Sequence, residues 1–138
     1  MQARFLRPSR GAAKLPRVDG RGELGRRGED VAEAFLRERR FEIVARNFRC
    51  RAGEIDLVAL DGQALVFVEV RSRRGTRAGS GLESVTGRKQ AQVARVARHF
   101  LAARGWSERE ARFDVIGIDF ACEPPTIDHV RAAFEVGG

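Results

Sequence analysis

The Asp61-Gly62 dipeptide, set between two β-rich runs at 53–60 and 63–71, constrains this chain most. An Asp-Gly pair in that setting predicts a hairpin with a two-residue turn, because both central residues need positive φ. A turn centred on Asp61 and Gly62 would pair Leu60 with Gln63, Val58 with Leu65, Asp56 with Phe67 and Glu54 with Glu69. Side chains alternate faces with period two, so Glu54, Asp56, Val58, Leu65, Phe67, Glu69 and Arg71 share one face. Ile55, Leu57, Ala59, Ala64, Val66, Val68 and Val70 share the other, which is wholly apolar. Acids and a guanidinium thus gather at the open end of a hairpin whose far side is core. Asp56 and Glu69 become diagonal neighbours, roughly 7–8 Å apart at Cα. Two carboxylates so placed repel each other unless a cation sits between them, and a hard, oxygen-loving ion such as Mg²⁺ or Mn²⁺ suits the pair. Acids on a half-exposed strand are ordinarily just solvated. Here Val58, Leu65 and Phe67 continue the same face, which implies a covered face with its acidic end left in a cleft.

The chain's 138 residues suffice for one domain with a real core. Against 19 Asp+Glu stand 26 Lys+Arg, a net charge of +7 with a pI near 11.0. Such an excess suggests a polyanionic partner, nucleic acid or an anionic membrane surface. Lys14 and Lys89 are the only lysines. Arginine forks match phosphate geometry, although GC-rich codon usage accounts for an Arg-, Ala- and Gly-rich composition equally well. Cys50, Cys122, His99 and His129 lack zinc-ligand spacing and read as free thiols and isolated imidazoles. No segment approaches the ~18 apolar residues of a membrane span, and the N-terminus has no apolar signal core. A soluble, cytoplasmic protein without a membrane partner is expected.

Residues 1–24 mix arginines with Pro8, Pro16 and glycines without periodicity and read as a basic, disordered arm. Residues 25–138 then form the single domain. A first helix is expected over 25–39, with Val31, Ala34 and Phe35 as its apolar stripe and Ala32 and Leu36 on its flank. Glu29 and Asp30 stand in its first turn, where carboxylates suit the dipole, and Glu29, on the side of Glu33 and Leu36, borders the buried stripe rather than opposing it. A strand over 41–49 precedes the hairpin. Residues 71–87 form a glycine-containing loop carrying Arg71, Arg73, Arg74 and Arg77, suited to gripping phosphate. A second helix spans 87–104, with Thr86 as N-cap and Val93, Val96, Ala97, Phe100 and Leu101 buried. Arg88, Gln92, Arg95 and His99 form a row along another face. Residues 112–120 read as a buried strand, and 127–134 as either an edge strand or a short helix. The order predicts an α/β fold, a mixed β-sheet flanked by helices.

An acid on an early helix, Gly-x-x-Asp in one strand and Glu-x-Lys in the next characterise the PD-(D/E)XK, restriction-endonuclease-like superfamily, which this chain resembles. The fuller string is Gly28-Glu29, Arg46-Asn47-Phe48-Arg49, Gly53-Glu54-Ile55-Asp56-Leu57, Phe67-Val68-Glu69-Val70-Arg71, Val85-Thr86, Arg88-Lys89-Gln90 and Arg112-Phe113-Asp114-Val115. It resembles the bacterial YraN family of predicted endonucleases, akin to archaeal Holliday junction resolvases. The resemblance covers about residues 25–120. It implies a restriction-endonuclease-like fold, Asp56 and Glu69 as ligands of Mg²⁺ or Mn²⁺, and Glu29 as a helix-borne helper carboxylate. Arg71 falls where the superfamily has its lysine, and Gln90 near where relatives keep a polar residue.

Together these readings make the chain a metal-dependent endonuclease hydrolysing phosphodiesters of double-stranded, branched or damaged DNA. Asp56 and Glu69 would hold the ion. Arg71 would stabilise developing charge, since arginine, with a pKa above ~12, cannot act as a general base. Arg73, Arg74, Arg77, Arg88, Lys89, Gln90 and Arg95 would contact DNA, positioning it without reading its sequence. Lys89 is an alternative carrier of the lysine role. The rival reading is a DNA-binding module on a nuclease fold without turnover. Paired cuts at a junction would require a homodimer. Single-strand recognition is disfavoured, because there are nine Phe, one Trp and no Tyr, and most of the Phe read as core.

Overall fold

The computed structural model describes residues 22–75 and 86–135. Its elements are helix α1 (Gly22–Glu38), strands β1 (Glu42–Cys50), β2 (Gly53–Asp61) and β3 (Ala64–Arg73), helix α2 (Gly87–Arg104), and strands β4 (Ala111–Asp119) and β5 (Thr126–Glu135). The strands form one sheet in the order β1-β2-β3-β4-β5. Only β3 and β4 are parallel, joined by the crossover through α2; the other neighbours are antiparallel. This is the expected mixed α/β sheet. The segment at 127–134, open between strand and helix, lies in edge strand β5. The expected basic arm lies almost wholly outside the described residues, although its last three positions, 22–24, belong to α1.

Each sheet face carries one helix. Val58, Leu65 and Phe67 pack with Val93, Val96, Ala97 and Phe100 of α2. Leu57, Ala59, Val66 and Val68 pack with Ala32 and Leu36 of α1, together with Ile116 and Ile118 of β4. Helix α2 has the expected boundaries because its signals are local. Thr86 Oγ1 accepts from the Lys89 N–H at 3.2 Å, and Gly105 ends the helix at φ 72. All five expected stripe residues are buried.

Helix α1 departs from expectation. It starts at Gly22, so Glu23 occupies its first turn, and Glu29 and Asp30 lie beyond the reach of the N-terminal dipole. Its buried residues are Gly28, Glu29, Ala32 and Leu36; Val31 and Phe35 flank them and Ala34 is exposed. Close approach sets this rotation. A Cβ on Gly28 would lie 1.8 Å from Ser72 Oγ of β3, so a glycine must face the sheet there.

The β2–β3 turn is also displaced from the expected centre. Asp61 pairs with Ala64, Leu60 with Leu65 and Val58 with Phe67, which makes Gly62 and Gln63 the central residues. Gly62 has φ 65, whereas Asp61 and Gln63 keep negative φ. One positive φ at the first central position is the demand of the primed turn that takes Gly there. A slip of two residues preserves the faces, so the side-chain assignment largely survives. Asp61 is freed for other work: its Oδ2 accepts from Arg112 at 3.1 Å.

Arg112 belongs to a buried network that fastens edge strand β5. Asp114 is fully buried and accepts from Arg112 Nε (2.9 Å) and Nη2 (3.2 Å) and from the Ala132 N–H (2.9 Å), and pairs with His129 Nε2 (2.8 Å). Burial disfavours its charge, but the hydrogen bonds from His129, Arg112 and Ala132 outweigh burial and hold the carboxyl below the usual aspartate range. Its stabilising contribution is therefore complete above the ordinary aspartate pKa, near 4, and disappears as pH falls through the lower folded value. Asp114→Asn should cost about 3–5 kcal/mol, as expected when one partner of a buried ion pair is removed. Unfolding of the variant followed by circular dichroism should show a weaker pH dependence in the acid range than the parent.

Candidate functional site

Strands β2 and β3 pair only as far as Leu57↔Val68. One position further stand Asp56 and Glu69, opposite rather than diagonal to each other once the register is corrected. Here the strands part, and the Val70 N–H donates to Asp56 Oδ2 at 2.8 Å. A side-chain carboxylate thus takes the place of a ladder bond. The same rung is irregular on the other side. Between Arg46↔Leu57 and Phe48↔Ile55 lie Asn47 and Asp56, with Asn47 at φ 55. Ala45 and Phe48 both pack with the α2 cluster, as do Ile55 and Val58. Same-face neighbours are normally two residues apart, so each strand holds one extra residue at this kink. Ile55 consequently joins the α2 side, not the side of Leu57 and Ala59 expected from simple alternation.

The gap opens into a cavity of about 500 Å³ lined by Arg49, Cys50, Gly53, Glu54, Asp56, Glu69, Lys89 and Gln92. Carboxylates from two strands thus meet cations from a hairpin and a helix. Lys89 Nζ is 3.8 Å from Glu69 Oε2, and Arg49 Nε is 3.3 Å from Glu54 Oε1. A neighbouring cavity of about 400 Å³ is lined by Glu69, Arg71, Ser72, Arg73 and Lys89. Glu69 and Lys89 line both spaces, the first richer in carboxylates and the second in guanidinium groups.

Glu29 goes elsewhere. It is buried and lines none of the described cavities. Its Oε1 accepts from Asn47 Nδ2 at 3.1 Å and lies 3.6 Å from Arg46 Nη2. Arg46 also meets Asp30 at 2.9 Å and Glu33 at 3.1 Å. Burial works against the Arg46 charge, but the Asp30 hydrogen bond and the charges of Asp30, Glu29 and Glu33 raise its pKa above the ordinary value. Because Asn47 shares the rung of Asp56, Glu29 braces the kink from the α1 side instead of facing the cavity.

Of the expected nucleic-acid contacts, Arg88 and Arg95 are exposed along α2, and Arg74 is exposed just past β3. Arg73 is half-buried, its Nε 3.9 Å from Asp119 Oδ2. Gln90 lines no described cavity, whereas Gln92 does. Arg77 lies outside the described residues. The sequence signal for Gln92 was slight: a polar amide bordering the buried stripe at Val93 and Val96.

Among the described residues no three His, Cys, Asp or Glu side chains converge as a metal cage. The candidate donors are the carboxylates of Asp56 and Glu69, which line one cavity. Such hard oxygens fit Mg²⁺ or Mn²⁺, which accept one or two carboxylates and complete their shell with water and phosphate.

The family described as uncharacterised protein family UPF0102 matches residues 28–118, a span that includes the kink, the acidic pair and α2. The chain belongs to the UPF0102 family. A UPF0102 protein of Geobacter sulfurreducens is 47% identical over 114 residues, 82% of this chain and 89% of its own. One from Nocardia farcinica is 44% identical over 124 residues, 89% and 98% of the two chains. The YraN resemblance points to this same family. No helix among the described residues is long and apolar enough to cross a membrane.

Glu29 and Asp56 should respond oppositely to neutralisation. Glu29→Ala removes the acceptor of the Asn47 amide and the buried one of the three carboxylates around Arg46, so it should lose about 1–3 kcal/mol of stability. Asp56→Asn retains an acceptor for Val70 and relieves repulsion with Glu69, so its stability should stay within about 0.5 kcal/mol or rise. Chemical denaturation of both variants makes the comparison.

Proposed function

We propose that this UPF0102 protein is a metal-dependent endonuclease acting on DNA. The observation that carries the reading is the acidic pair Asp56 and Glu69 at the parting of β2 and β3, with Lys89 beside Glu69. Asp56 and Glu69 would hold Mg²⁺ or Mn²⁺, which when bound acidifies a water and polarises the scissile phosphate. Val70, through its N–H, orients the Asp56 carboxylate before any ion arrives. Lys89 offers a cation at the cavity that both acids line, suited to neutralising charge on the phosphate in the transition state. Arg71 and Arg73 line the adjoining compartment and suit a neighbouring phosphate. Arg88 and Arg95 extend the basic surface along α2, where backbone contacts would position the duplex without reading its sequence.

This division of labour gives Lys89, on the helix, the role that the strand position of Arg71 has in the superfamily pattern. Lys89→Ala should lower metal-dependent cleavage by roughly 10²–10³-fold, typical of a lost transition-state donor. Arg71→Lys should retain cleavage. The reverse ranking, with cleavage lost in Arg71→Ala and only mildly lowered in Lys89→Ala, would return the role to the strand.

The direct test incubates the protein with linear, nicked, flapped and four-way DNA in Mg²⁺, Mn²⁺ or EDTA. Cleavage of a branched substrate with either ion, abolished by EDTA and by Asp56→Asn, is expected. DNA binding should survive Asp56→Asn, and its salt dependence should flatten by about one unit of slope for each phosphate contact removed at Arg88 or Arg95. Binding without cleavage under every condition would instead favour a DNA-binding module.

A further inference from the structure

The hairpin between β1 and β2 turns at Arg51 and Ala52, closed by the Cys50↔Gly53 pair. Beyond Leu57 this end of β2 has lost its β3 partner and retains β1, together with the Asp56–Val70 bond. It nevertheless carries Glu54 and Asp56 into the cavity. Ile55 packs this end against the apolar face of α2, and α2 adds a polar contact to the turn. Gln92 Nε2 donates to the Ala52 carbonyl oxygen at 3.3 Å.

Gly53 makes that contact sterically possible. Its φ is +143, a conformation disfavoured for side-chain-bearing residues, and a Cβ built there would stand 2.7 Å from Gln92 Nε2 and 3.3 Å from Val96 Cγ2. The missing side chain is the seat of the amide. Gln92 lies three residues beyond Lys89, so the two side chains are neighbours on α2. One reaches Glu69 on β3, the other the backbone leading to Asp56 on β2.

We infer that Gln92 is a positioning residue for the metal site: by fixing the Ala52–Gly53 peptide it sets where Asp56 stands relative to Glu69. This rests on the metal-dependent reading of the acidic pair. Its consequence is that ion affinity depends on an amide that need not touch the ion. Outer-layer partners of metal ligands typically change affinity by roughly 10–100-fold when removed.

The test uses the full chain with Mn²⁺ as probe, its binding measured by titration with electron paramagnetic resonance. Gln92→Met, close in size but without a donor, should weaken Mn²⁺ by roughly 10–100-fold. Hydrogen exchange of the amides at 53–56 should quicken, while those of the β3–β4 pairing should not change. DNA affinity in EDTA should also stay unchanged, and excess Mn²⁺ should restore cleavage to Gln92→Met but not to Asp56→Asn. Gln92→Asn, which withdraws the amide by one methylene, provides a second, milder variant with the same expected direction. If the Gln92 variants bind Mn²⁺ as tightly as the parent, the inference is overturned while the metal site stands. If the parent itself binds no Mn²⁺, the metal reading falls and this inference with it.

Discussion

The separation of β2 from β3 beyond Leu57↔Val68, fixed by the Val70 N–H bonding to Asp56, is the constraint on which the rest of the site depends. A continued ladder would satisfy the backbone with backbone and leave no cleft. Substituting a carboxylate for one carbonyl satisfies the donor, halts the pairing and leaves a charged group at the point of opening. The kink of β1 at Asn47 is the matching deformation on the other flank. It is braced by Glu29 and Asn47, so α1 contributes to the site by holding strained backbone rather than by entering the cavity. Two carboxylates close in the sequence pattern thus have different physical duties, one buried against partners and one lining an open cleft.

Much of this was legible because the signals were local. Thr86 and five apolar positions define α2 without reference to the rest of the chain, and the structure agrees residue by residue. The hairpin was equally visible, since Asp61-Gly62 punctuates two β-rich runs. Its register was not, because either Asp61-Gly62 or Gly62-Gln63 satisfies a primed turn. Asp61's engagement with Arg112 and Arg131, far along the chain, accompanies the second choice. The two-residue slip kept the faces and converted diagonal acids into opposite ones. The α1 stripe was misplaced for a related reason. The sequence sets Glu29 only at the border of the stripe and gives Gly28 no contact; Ser72, Asn47 and Arg46, distant in the chain, supply their surroundings.

The kink itself was beyond sequence reasoning. Strict alternation put Ile55 with Leu57, and nothing in the local string 53–57 announces an extra residue between same-face positions. The clue is distributed: Asn47 tolerates positive φ, as asparagine does more readily than branched residues, and it stands opposite Asp56 only when the β1–β2 register is known. Long-range pairing information of this kind decides geometry at functional sites, where local preference and global structure are most often at odds.

Helix α2 shows how a single element reconciles opposing demands. Its sequence has no Asp or Glu, and its first turn carries Arg88 and Lys89 where acids would better suit the helix dipole. Local electrostatics therefore work mildly against it. Burial of Val93, Val96, Ala97, Phe100 and Leu101 against the sheet, with both ends capped, offsets that cost. The apolar face fixes the helix, and fixing the helix fixes what its other faces present. Lys89 is carried to Glu69, Gln92 to the Ala52 carbonyl, and Arg88 and Arg95 to solvent. A helix chosen for its own stability would place acids in that first turn. There they would repel Glu69, so the unfavourable charges at its start are explained by the carboxylate that Lys89 meets.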